Sequence, residues 1–252
     1  FYCENYRRLN MKKTAILFFI FVQINLYASQ NIKEIFVVSE NWDELTNKDG
    51  SGLYFDLTKM IYEPLKIEVK IKIYPYNRSS SMVEMKIADV WLGSYIDEED
   101  YAIYPQYYFD KDIVTAMFKK NKFPNLKDQS NLKDKKVCWI RGYGYDEYID
   151  VDIRKRERNN RKSILLSLEK DRFDIFLDAN FDMQDAIKKL HFDTSNYKFV
   201  EMFKFKLYPA FRNDKRGIIL KNIWDTQFKK LLDDGSMKKL YEKHNLVKFY
   251  WY

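Results

Sequence analysis

Cysteine is almost missing from this chain: only Cys3 and Cys138 occur in 252 residues, and they lie far apart. Cys3 falls in a leader that the later chain does not need, so no internal disulfide is expected, and Cys138 reads as buried packing. No cysteine stands directly after the candidate export-cleavage region, which argues against a lipid-anchored product. Histidine is equally scarce. His191 and His244 read as surface residues at helix ends rather than as metal ligands or bases. There is no His-x-x-x-His or Cys-x-x-Cys pair, no P-loop and no nucleophile elbow, so the usual zinc, nucleotide and serine-hydrolase signatures are all lacking. From the sequence we expect no catalytic residue, no metal and no cofactor.

Long apolar runs and a dominant charge are lacking too. Beyond Val22 no segment approaches the roughly 20 apolar residues a membrane-spanning helix needs. The net charge is +7, from 44 basic and 37 acidic side chains. Arg7, Arg8, Lys12 and Lys13 against Glu4 carry +3 of it, which leaves +4 beyond Gln30. That is too mild for a nucleic-acid partner. The densest basic stretch, Arg154 to Lys162, reads as a solvated surface segment.

What is present begins with an export signal. From Met11 the chain reads MKKTAILFFIFVQINLYASQ: a basic start, an apolar run from Ala15 to Val22, and small residues Ala28 and Ser29 for cleavage. Residues 11–28 are expected to be a signal peptide, and residues 1–10 upstream sequence translated by mistake. The expected compartment is the periplasm of a Gram-negative bacterium.

The remainder alternates strand and helix signals. Glu34–Ser39 reads as a buried strand, Leu53–Tyr62 as a helix ended by Pro64, and Ile67–Tyr74 as an alternating strand. Ser79–Ser81 are expected to cap a helix through Ile87, followed by a strand over Asp89–Gly93. A second unit repeats the pattern. Lys136–Ile140 is a strand, Gly142-Tyr143-Gly144 a turn, Ser163–Glu169 a helix, Phe173–Leu177 a strand and Met183–Leu190 a helix. Extended segments at Ile113–Phe118, Phe199–Phe205 and Tyr208–Phe211 join the units, and helices over Ile218–Leu232 and Ser236–His244 close the chain. The expectation is an α/β protein of two lobes, each a mostly parallel sheet flanked by helices. Lobe 1 would be residues 31–112 with 207–252, lobe 2 residues 113–206, with a two-segment hinge and a cleft between them.

Several fragments, in order, resemble one family. They are Glu40-Asn41-Trp42, Asp49 to Asp56, Tyr74 to Arg78, Ala88 to Gly93 and Tyr104 to Tyr108. Further along come Leu132 to Val137, Arg141 to Gly144, Arg172 to Asp174 and Asp234 to Tyr241. Over nearly the whole chain after the signal, this is similar to bacterial extracellular solute-binding proteins of family 3, which serve polar amino acid ABC transporters. The resemblance implies a type II periplasmic-binding fold that closes on a small-molecule ligand. It also implies an inner-membrane permease as partner, and we expect a monomer. One departure stands out. The family usually carries a carboxylate-reading arginine, in a Thr-x-x-Arg segment, shortly after the strand at Asp89–Gly93. Here Ser94 to Asp100 reads SYIDEED, with acids in its place. Either Arg78 or Arg141 takes over an anion, or the ligand is cationic or uncharged.

The candidate ligand contacts are Trp42, Arg78, Gly93, Ser94, Tyr95, Arg141, Gly142, Tyr143, Gly144 and Asp178. Trp42 follows the first strand, at the sheet end that faces ligands in open α/β folds, and offers a stacking wall. Gly93, Ser94 and Tyr95 line the next strand end. Gly142 and Gly144 would let backbone amides approach an anion. Asp178, as related proteins imply, would meet a ligand ammonium. Asp56 and Asp89 are expected to brace the fold. Two rival classes stay open on the sequence: a dehydratase-like enzyme on the same fold, and a sensor domain acting through a separate membrane receptor.

Overall fold

A computed structural model describes residues 32–250 and 252. The upstream segment and the signal peptide lie outside the described residues, as does the first residue assigned to lobe 1.

The chain opens with strand β1 (Glu34–Ser39), whose EIFVVS sequence is buried almost throughout. Helix α1 (Leu53–Tyr62) turns Leu53, Leu57 and Ile61 inward and returns the chain to β2 (Glu68–Ile73), parallel to β1. The EVKIKI alternation of β2 gives it one apolar and one charged face, as an outer strand requires. Helix α2 (Tyr76–Glu84) starts on Pro75 rather than on the serines. Ser79 and Ser80 lie buried within it, because the fixed φ of Pro75 already suits a helix start and no hydroxyl cap is needed. Strand β3 (Val90–Ser94) then pairs parallel to β1.

After β4 (Ala102–Ile103) the chain crosses on β5 (Asp110–Lys119). The second unit contains β6 (Lys136–Ile140), β7 (Arg154–Arg158), α3 (Arg161–Glu169), β8 (Ile175–Ala179) and α4 (Asn180–Lys189). The basic stretch expected to be plain surface is partly a strand: β7 pairs parallel to β6 and keeps its first arginines in solvent. The return is a single 16-residue strand, β9 (Tyr197–Arg212), where the sequence suggests two segments. Helices α5 (Lys215–Asp233) and α6 (Ser236–Lys243) follow.

The strand order is β2-β1-β3-β9-β5-β8-β6-β7, with β4 beside β9. Strand β9 belongs to both halves. Tyr197 to Leu207 pair with β5, whereas Tyr208 to Arg212 pair with β3 and β4. Each half is therefore a parallel βαβ arrangement sealed by antiparallel crossing strands, a two-lobed α/β architecture. The first half packs α1, α5 and α6 around Tyr62, Phe55, Phe211, Trp224 and Phe228. The second buries Val137, Trp139, Ile175 and Leu177 on one face and Cys138, Ile164, Leu165 and Phe176 on the other. No helix of the described residues is long and apolar enough to cross a membrane.

Candidate ligand cleft

The C-terminal ends of β1, β3, β6 and β8 converge between the halves, where open α/β sheets bind ligands. The residues just past those ends form a cavity: Trp42 after β1, Tyr95 after β3, Tyr143 after β6, and Phe181 with Asp182 after β8. Its volume is ≈ 100 Å³, several times the roughly 10–15 Å³ one water requires on that measure.

Aromatic rings make the walls. The loop carrying Trp42 is tied down by Thr46, whose hydroxyl donates to Glu40 O at 2.7 Å and accepts from the Trp42 amide at 3.0 Å. Gly93 lets the indole lie flat against β3. It has φ 87°, and a Cβ there would stand 2.6 Å from the ring, so no other residue fits without moving Trp42. Trp42 meets Tyr76 at a ring-centroid distance of 6.4 Å, and Tyr76 meets Tyr143 at 6.0 Å edge-on. Tyr143 belongs to the second half, so the walls close across the cleft. Its hydroxyl accepts from Trp42 Nε1 at 3.4 Å and donates to Glu40 Oε2 at 3.5 Å. The approach is also close at Gly142 (φ 90°), where a Cβ would lie 1.9 Å from Asn77 Oδ1 of α2.

The polar groups are mostly acids. Glu98 accepts from Tyr76 at 2.7 Å, from Ser94 at 2.8 Å and from the Tyr95 amide at 2.9 Å. Burial nonetheless raises its carboxyl above the usual range, those hydrogen bonds opposing the rise. Asp112, on the crossing strand β5, accepts from Tyr95 Oη at 3.2 Å. Burial, reinforced by the charge of Asp178, pushes it up to about 7. Arg161, the first residue of α3, points inward and binds Asp178 through Nε (2.6 Å) and Nη2 (3.2 Å). The same Nη2 reaches Asp182 at 2.7 Å and Tyr143 Oη at 3.1 Å. Burial raises both carboxyls against the pull of Arg161, that of Asp182 to about 7. Glu40 is raised by burial as well.

Of the residues singled out in the sequence, Trp42, Gly93, Tyr95 and Tyr143 line the cavity. Ser94 is buried behind it as a donor to Glu98. Gly142 and Gly144 lie instead along the neighbouring seam between the halves, beside Asn77 and Glu147. Asp178 is fully buried against Arg161 rather than on the cavity wall. Arg78 and Arg141 are not brought to the site. Both are exposed and neither lines the cavity; the Arg78 guanidinium stacks 4.5 Å over Tyr74. Tyr76, Asp112 and Asp182 also line the cavity and Arg161 braces it, none of them among the ligand contacts expected from the sequence. The signal for Arg161 was Asn160, which caps α3 by accepting from the Ser163 amide at 2.8 Å and thereby fixes where the arginine enters. The bracing residues are where they were expected. Asp89 accepts from the Phe36 amide and from Arg216, and Asp56 pairs with Lys243 and His244.

No family model and no curated protein matches the chain. Solved structures do. A mutant of ArgBP from T. maritima superposes with TM-score 0.69 and 17% identity, over 87% of this chain and 98% of its own. An ABC uptake transporter substrate-binding protein from Streptococcus pneumoniae with bound histidine gives 0.65 and 15%, over 86% and 94%. The GluR0 ligand-binding core in complex with L-glutamate gives 0.66 and 12%, over 84% and 97%. Two of those structures hold different amino acids, histidine and L-glutamate, so the likeness fixes the architecture and leaves the ligand to the site. The chain has the two-lobed fold of periplasmic binding proteins, and its cavity lies in the cleft between the lobes.

Proposed function

We propose that this protein is a periplasmic solute-binding protein that captures a small polar solute between its lobes and passes it to an ABC transporter permease. The observation that carries this reading is the cavity itself, whose walls come from both halves of the fold, Trp42 and Tyr76 from one and Tyr143 and Asp182 from the other. A ligand touching both walls binds the closed arrangement better than an open one and so shifts the population toward it. On this reading residues 31–112 and 207–252 move as one lobe and residues 113–206 as the other. Trp42, Tyr95 and Tyr143 contact the solute, which is bound without turnover. The protein works as a monomer outside the cytoplasmic membrane.

Thermal unfolding against a panel of amino acids, amines, organic acids and sugars tests it. A ligand at a hundredfold excess over Kd adds about 2.7 kcal/mol of stability, which raises Tm by roughly 5–11 °C for a chain of this size. A shift of that order, with the compound recovered unchanged, supports the reading. A panel on which nothing moves Tm overturns it.

A further inference from the structure

The charge around the cleft narrows the ligand class beyond the reading above, on which this step rests. We propose that the solute is a small organic cation bearing no acid group, an alkyl amine or diamine, held by Asp112 and Asp182 against the aromatic wall.

The cavity lining carries four carboxylates, Glu98, Asp110, Asp112 and Asp182, against one ammonium, Lys111. Lys111 leans over Tyr108, its Nζ 5.4 Å from that ring. The guanidinium nearest the cleft is already committed. Arg161 makes two bonds to Asp178, one to Asp182 and one to Tyr143. To receive a ligand carboxylate it would have to release one of two buried acids, leaving that charge uncompensated. The remaining candidates for an anion, Arg78 and Arg141, face solvent. A ligand carboxylate would therefore enter a cleft in which like charge predominates and the bidentate donor it needs is occupied.

A cation meets the opposite situation. Asp112 is a half-buried wall residue that accepts a hydrogen bond from Tyr95. Asp182 shares Arg161 with Asp178, so one guanidinium faces two acids. Burial first, and then the charge of nearby acids, raises Asp112 and Asp182 each to about 7, so neither has enough cationic charge beside it to offset its desolvation. An ammonium between them supplies the missing charge. The rings of Trp42, Tyr76 and Tyr143 offer π faces to the same cation and an apolar surface to its methylenes. The acidic run that follows β3 contributes too. Glu98, saturated by three donors, keeps that side of the cleft negative and orders Tyr76 and Tyr95 as walls.

Calorimetric titration with matched pairs isolates the acid group. Cadaverine is lysine without its carboxylate, and agmatine is arginine without it. Glutamate and glucose complete the set as an anion and a neutral solute. The expected result is that at least one amine binds about tenfold or more tightly than its parent amino acid, a difference of about 1.4 kcal/mol. D112N and D182N are each expected to lose about tenfold in amine affinity while keeping the wild-type circular dichroism spectrum. If either variant fails to fold, the matched pairs on the unaltered protein decide alone. Amino acids binding as well as or better than their amines would overturn this inference and leave the solute-binding reading intact, as would binding of glutamate or glucose alone. Binding of nothing in the set, together with a flat thermal panel, would overturn both.

Discussion

Arg161 is the residue on which the second lobe's face of the cleft depends. It lies between Asp178, which is fully buried, and Asp182, nearly so, and links both to Tyr143. Two acids that close repel one another unless a cation is shared between them. Replacing Arg161 by Met removes the cation and leaves the acids, a change that costs about 3–5 kcal/mol where a buried pair is broken from one side. Asp182→Asn is expected to be far milder, because Arg161 retains its two bonds to Asp178. Urea unfolding at pH 7.5 measures the difference, and an Arg161→Met variant within about 1 kcal/mol of wild type would refute this account of the cluster. At this scale the sequence was only partly readable. Trp42, Tyr95 and Tyr143 stand beside strand ends, where the pattern of strand and turn is enough to place them. Arg161 sits among Arg154, Arg156, Arg158 and Lys162, and in that run of like charges only the Asn160 cap marks which member begins the helix and turns inward. Asp112 was hidden for another reason. It lies in the extended crossing segment β5, and its exposure to the cleft depends on the partners that segment finds only in the fold.

Among the secondary elements, α5 has its start specified by one side chain, Asp214. Asp214 accepts from the Gly217 amide at 3.0 Å and from Arg212 Nε at 2.8 Å, so it both caps the helix and ties it to the end of β9. Asp214→Ala is expected to lose about 0.5–2 kcal/mol, the usual cost of an N-cap, and to lower Tm by several degrees. Asp214→Asn, which keeps the acceptor oxygen, is expected to recover most of that loss, and an equal loss in both variants would show that the ion pair, not the cap, was responsible. The elements themselves were mostly legible because periodicity reports burial directly. The spacing of Leu53, Leu57 and Ile61 gives α1 its observed bounds, and the KVCWI run gives β6. The failures have local causes. Ser79 to Ser81 resemble a cap, but Pro75 had already set the backbone. The break suggested near Lys206 in β9 is a change of partner from β5 to β3, and pairing is not written in one strand's own sequence.

For the molecule as a whole, the acid-rich cleft sets how stability responds to pH. Asp112 faces Tyr95, Asp110 and Asp178, and Asp182 faces Arg161, Asp178, Glu40 and Asp112. Both carboxyls are raised from the ordinary 3.8 to about 7, so the folded chain holds these two protons more tightly than the unfolded chain does. A raised acid contributes stability that is complete below its unfolded value, near 4, and is lost as pH rises through about 7. Glu40 and Glu98 are raised as well and act in the same direction. The ligand-free protein is therefore expected to lose Tm between pH 5 and pH 7 and to level off above, and Asp112→Asn, which cannot ionise, to flatten that slope. A bound amine inverts the requirement, since it favours the ionised pair. Its stabilising effect should grow between pH 6 and pH 8, whereas that of an uncharged solute should not change. Thermal unfolding at fixed ionic strength, with and without ligand, reads both slopes in one series. A ligand-free Tm that rises between pH 5 and pH 7, unchanged by Asp112→Asn, would mean the cleft acids are not held protonated by the fold. A free slope of the expected sign with no difference between amine and uncharged solute would locate the titrating groups away from the bound ligand.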